Sequence, residues 1–136
     1  MLFRSVTNLN AEVYFPGYLF NPDGSGEFAA RPAIVTAPSG QLGWAEDFSV
    51  EVSPETSVSR VTLVRTGSVT HAFNGEQRLL EMPFVQDGST LHLQMPSHRS
   101  LAPPGYYLLF VFDANGVPAT APILRLYAEP LAARAR

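Results

Sequence analysis

The sequence predicts an all-β sandwich, on three observations. Apolar and polar residues alternate in short runs: Phe48, Val50 and Val52 interleave with Ser49, Glu51 and Ser53, and Leu91, Leu93 and Met95 with His92 and Gln94. A period of two turns one face to a core and the other to water. Twelve Pro and ten Gly punctuate the 136 residues. Pro in a helix interior costs about 3 kcal/mol, so long helices are not expected. Finally, "PPGYYLLF" (103–110) has the form of an immunoglobulin-like corner, in which a Tyr at the start of a central strand returns its hydroxyl to nearby backbone.

The elements follow in order. "AEVYFPGYLF" (11–20) reads as two aromatic extended pieces broken at Pro16-Gly17, and "NPDGSGEFAARP" (21–32) as a polar loop. A short strand, a loop and Trp44 fill 32–47, and the first alternating strand is 48–53. In "VSRVTLVRTG" (58–67), Val61 and Leu63 face one way, Thr62 and Val64 the other. "THAFNGEQRLLEMPF" (70–84) reads as two extended runs around Asn74-Gly75, a pair suited to the left-handed positions of a type I′ turn. The second alternating strand is 90–96, and 121–129 is the last. Between them, Tyr106–Phe112 is apolar throughout, so it needs cover on both faces. Val50, Leu63, Leu93, Leu108 and Phe110 are the expected core residues.

Composition bounds the function. Apolar residues make up 46% and charged residues 15%, which suits one domain with a real core. The net charge is −3 and the nine basic residues are scattered, so no nucleic-acid surface is expected. All nine are Arg, which leaves no lysine for Schiff-base chemistry, and without Cys there is no thiolate ligand or thiol nucleophile. No apolar run reaches the roughly 18–20 residues of a membrane-spanning helix. The aromatic segment with Tyr14, Phe15, Tyr18 and Phe20, and the second face of Tyr106–Phe112, exceed what one small core absorbs. Either the core closes over them locally or another domain does.

Three histidines are candidate ligands. His92 lies on the polar face of a strand and His98 in a Pro/Ser loop, and both read as solvent-facing. The gaps of 21 and 6 residues are unlike a closed zinc site. His71 lies beside the Asn-Gly pair, where a hairpin can carry it outward. From residue type alone it is either a ligand or an ordinary surface residue. Glu76 and Glu81 could be read as a glycosidase pair, but surface placement is the expected reading.

Several separated motifs together resemble the C-terminal domain of galactose oxidase and glyoxal oxidase-like proteins. They are Thr70-His71, Gln77-Arg78, Pro104-Gly105-Tyr106-Tyr107 and Gly116-Val117-Pro118, with "AEVYFPGYLFN" and "ARPAI" upstream. The resemblance covers about 11–127, and Ala119 stands where the family has Ser. It implies an early-set immunoglobulin-like sandwich over 11–128, an N-terminal extension over 1–10 and a flexible tail over 129–136. It further implies packing on a kelch propeller, with His71 as one copper ligand in alcohol or aldehyde oxidation and O2 reduced to peroxide. Gln77 and Arg78 are possible supports of the loop, and a secreted or cell-surface setting is implied. The family's other ligands and its Tyr–Cys radical lie in the propeller. The chain is therefore not expected to be catalytic, or to hold copper tightly, by itself. The alternative is a non-catalytic sandwich that binds a partner domain or carbohydrate.

Overall fold

Residues 12–127 are described by the structure, a computed structural model. The expected extension 1–10 and tail 129–136 lie outside the described residues. Among the described residues eleven strand segments occur: β1 (Ile34–Thr36), β2 (Gln41–Leu42), β3 (Asp47–Val52), β4 (Val58–Arg65), β5 (Val69–Thr70), β6 (Phe73–Asn74), β7 (Leu79–Glu81), β8 (Phe84–Asp87), β9 (Thr90–Gln94), β10 (Gly105–Asp113) and β11 (Ile123–Leu126). Among the described residues the one helical piece is a 3-10 turn at Gly17–Leu19, where Pro16-Gly17 breaks the aromatic segment. No helix there is long and apolar enough to cross a membrane.

Two sheets form the sandwich. One has the order β1-β3-β9-β8, the other β2-β11-β10-β4-β7, and β5-β6 is a separate hairpin. Neighbours are antiparallel except β2 and β11, which run parallel. The alternating strands behave as the period of two demands. Phe48, Val50 and Val52 of β3 and Leu91 and Leu93 of β9 are buried between the sheets, against Val61 and Leu63 of β4 and Leu124 and Leu126 of β11.

β10 corrects one expectation. Its buried residues are Tyr107, Leu109 and Val111, so the core face is the odd-numbered one. Leu108 and Phe110 point outward and are half-buried. The tyrosine corner fixes this phase. Tyr107 is fully buried, and its hydroxyl donates to the Pro103 carbonyl at 2.6 Å. With Tyr107 inward, the pleat sends Tyr106, Leu108, Phe110 and Phe112 to the other face. Tyr107→Phe should therefore cost about 1.5 kcal/mol in denaturant melts, as expected for losing a buried hydrogen bond. A cost near zero would mean that the corner contributes nothing.

The outer faces of the two sheets differ in character. On the four-stranded sheet the rows read Asp47–Gln94, Ser49–His92–Val85 and Glu51–Thr90–Asp87, mostly polar. On the five-stranded sheet Ile123, Leu108, Val64 and Leu79 fall in one row across four strands. Ile123 and Leu79 are more than half exposed, as is Tyr106 in the next row. An apolar row on a wet face is the surplus expected from the sequence. Thr62 lies on the same face, fully buried with its hydroxyl unpartnered, between Phe110 and Glu81 in register. The N-terminal aromatics add to the surplus. Phe28 stacks on Phe20 at 4.8 Å and meets Phe15 edge-on at 5.2 Å, while Tyr14 and Tyr18 stand exposed.

Candidate metal-ligand hairpin

His71 occupies the tip of the β5–β6 hairpin. Val69 pairs with Asn74 and Thr70 with Phe73, which leaves His71 and Ala72 as the two-residue loop. Both have positive φ, 50° and 67°, the conformation of a type I′ turn. The turn therefore lies three residues before Asn74-Gly75, the pair that sequence rules favour. Asn74 serves a different purpose. Its Oδ1 accepts from the Ser68 amide at 3.1 Å and the Glu76 amide at 3.2 Å, which closes the hairpin's neck. Gly75 N–H donates to the Ser68 carbonyl at 3.1 Å beside it. This side-chain bridge makes the displaced turn possible, since Asx residues readily hydrogen-bond nearby backbone. Replacing Asn74 with Ala should lower hydrogen-exchange protection of the Gly75 amide about tenfold, the loss of two modest hydrogen bonds. Unchanged protection would show that the neck closes without the bridge.

A left-handed Ala is uncommon, because its Cβ crowds the following carbonyl at a cost of roughly 1–2 kcal/mol. Ala45 and Glu55 adopt positive φ in other turns, so the conformation fixes the shape of the hairpin tip without by itself assigning it a role. His71 itself is exposed, and its Nδ1 lies 2.7 Å from Thr70 Oγ1. In the tautomer whose Nδ1–H donates to that hydroxyl, the Nε2 lone pair is free to bind a metal. Among the described residues no three His, Cys, Asp or Glu side chains gather as a metal-binding group. The donor set present fits a single ligand to a shared site, and not a complete site.

The other candidates are dispersed. His92 is exposed on β9, and His98 is exposed with its Nδ1 2.8 Å from Ser100 Oγ. Glu76 and Glu81 do not form a pair. Glu76 binds Arg65 Nε at 2.6 Å, and Glu81 holds Arg60 with both carboxylate oxygens. Hydrogen bonding to Arg60 keeps the Glu81 carboxyl below its ordinary range, opposite to what a glycosidase acid requires. Gln77 is exposed beside the hairpin's base. Arg78 is half-buried, and its guanidinium donates to the carbonyls of Ser100, at 2.7 Å, and Leu101.

The sequence points to Thr70 only within the Thr70-His71 motif, and to Arg65 not at all. Arg65 reaches Glu76 across eleven positions and the Pro103 carbonyl across thirty-eight, and neither separation leaves a local signal. Thr70 had one signal, its place directly before His71.

Comparison with known proteins agrees with the fold. Residues 31–126 match the family described as "Galactose oxidase-like, Early set domain". A galactose oxidase of Gibberella zeae is 31% identical over 125 residues, covering 90% of this chain and 18% of that protein. An aldehyde oxidase of Arabidopsis thaliana is 32% identical over 125 residues, covering 83% of this chain and 20% of that protein. Among solved structures, a novel fungal alcohol oxidase with catalytic diversity among the AA5 family, in complex with copper, superposes with a TM-score of 0.76 at 25% identity. That match covers 83% of this chain and 24% of the other. The chain thus spans about a fifth of the length of these relatives. Its fold is the early-set, immunoglobulin-like sandwich, and the chain belongs to the galactose oxidase-like, early set domain family.

Proposed function

We propose that this chain is the C-terminal domain of a copper-radical oxidase of the galactose or glyoxal oxidase type. It docks on a kelch propeller and supplies His71 as one copper ligand. The observation that carries this reading is the position of His71. It is the exposed tip residue of a hairpin that joins neither sheet, held in a left-handed turn with its Nδ1 engaged by Thr70. Imidazole is a ligand type that copper favours. A single imidazole binds weakly, so a complete site needs donors from outside this chain.

Bound copper would supply the redox centre at which an alcohol or aldehyde loses two electrons and O2 gains them as hydrogen peroxide. The chain's own contribution is narrower. Thr70 orients the His71 ring, and the hairpin carries it away from the sandwich. Arg78 ties the hairpin's base to the 100–101 backbone. The apolar row Ile123–Leu108–Val64–Leu79 gives the propeller a surface to cover. Arg125, between the rings of Tyr106 and Tyr127 at 5.8 and 5.7 Å, adds a cationic edge to it. The reading is tested by His71→Ala in the assembled oxidase. Copper-dependent peroxide production should vanish with the fold intact, and retained turnover would reject it.

A further inference from the structure

We propose that Arg65 and Glu76 are positioning residues that fix the direction in which the β5–β6 hairpin leaves the sandwich. The inference rests on the reading of His71 as a ligand, because direction matters only if the tip must meet a partner group. The bonds that close the neck run from Asn74 to Ser68 and Glu76 and from Gly75 to Ser68, all within the hairpin. They set its shape and leave its tilt free. Backbone bonds from Arg65 to Arg78 and from Thr66 to Tyr106 end at the last rung of the sheet. The Arg65–Glu76 pair goes further and joins the sheet to the second leg of the neck.

The two ends of this clamp differ in rigidity. The Arg65 side chain is only 14% exposed. Its Nη1 lies 3.3 Å from the Pro103 carbonyl and 3.5 Å from the Tyr107 hydroxyl, so it sits against the buried tyrosine corner. Gly105 leaves room for it: a Cβ there would lie 3.3 Å from Nη2. From this seat Nε grips Glu76 at 2.6 Å. Glu76 receives one bond, but from a guanidinium already held by two further partners, so less side-chain freedom is lost in forming the pair than for two free surface side chains. The Arg60–Glu81 pair is the internal contrast, since its side chains are 46% and 59% exposed.

Leverage makes the clamp matter. At about 3.3 Å per residue the tip lies roughly 13 Å beyond Glu76, so a tilt of about 10° at the neck moves His71 by about 2 Å. A misplacement of about 1 Å can cost a hundredfold in a reaction that needs aligned groups.

The test is backbone 15N relaxation of the 136-residue chain. Wild-type amides of residues 69–74 should have order parameters near the rigid value of about 0.85, and Glu76→Ala should take them below about 0.6. Glu76→Gln keeps an acceptor at the same reach and should recover much of the order. Glu81→Ala, which breaks the other pair, should leave the hairpin unchanged. A hairpin as rigid in Glu76→Ala as in wild type overturns the proposal, as does one already mobile in wild type. In the assembled oxidase, Glu76→Ala should weaken copper binding about tenfold and shift the Cu(II) paramagnetic resonance spectrum, the scale of effect expected of an outer-shell partner. A spectrum unmoved by Glu76→Ala but altered by His71→Ala would overturn the positioning role and keep the ligand. A spectrum unmoved by His71→Ala would sink the ligand reading, and a hairpin loosened by Glu76→Ala would then still support the clamp.

Discussion

On the proposed reading, His71→Ala should abolish copper-dependent turnover of the assembled oxidase, while changing the domain's own stability by no more than about 0.5 kcal/mol. The two halves of this expected result have separate causes. Stability is spared because the His71 ring is exposed and its one hydrogen bond goes to a neighbouring exposed hydroxyl. The turn tolerates an alanine, since Ala72 already adopts a positive φ of 67°. Turnover should be lost because no other side chain of the hairpin can replace the imidazole. Thr70, Ala72 and Phe73 offer no comparable donor. Denaturant melts of the single domain and peroxide assays of the oxidase check the two halves independently. A loss above about 2 kcal/mol in the melts would make His71 a packed structural residue.

Leu109→Ala should destabilise the chain by about 3 kcal/mol, and Leu108→Ala by less than about 1 kcal/mol. These are adjacent leucines of one strand, so propensity and local backbone effects cancel in the comparison. Leu109 is fully buried at the centre of the sandwich, and its removal leaves a cavity. Leu108 lies in the outer apolar row, where the site can relax into solvent. Equal losses in urea melts would contradict the assigned face. The order should change when the outer face is covered. With the proposed propeller bound, Leu108→Ala should weaken docking, whereas in the free domain it should do little.

The pair also shows where sequence reading stops. β3 and β9 were legible because polar residues alternate with apolar ones, so the phase of the pleat is written in the chain. β10 was legible as a strand and as one needing cover on both faces, but a run without polar residues carries no phase. The expected Leu108 and Phe110 fell on the outer face for that reason, and it took the Tyr107–Pro103 bond to choose between the faces. The hairpin behaved likewise. Asn74-Gly75 announced a turn, and the chain does turn there, but the tightest residues are His71 and Ala72. Local rules favour Asn-Gly for positive φ, and here the Asn side chain was better used bridging two backbone amides. His71 stood out as a candidate through its place beside a turn and through resemblance. The Arg65–Glu76 clamp was not, because a contact between β4 and the far leg of a loop exists only once the sheet has formed.

His71, at the tip of this hairpin, is proposed to ligate copper in a site completed by a propeller. A crystal structure of the copper-loaded oxidase, with the metal located by its anomalous scattering, tests it most directly. His71 Nε2 should lie within bonding distance of the copper, with Nδ1 still on Thr70 Oγ1 and the row Ile123–Leu108–Val64–Leu79 covered by the propeller. Copper held entirely by other residues, with His71 turned to solvent, would contradict it.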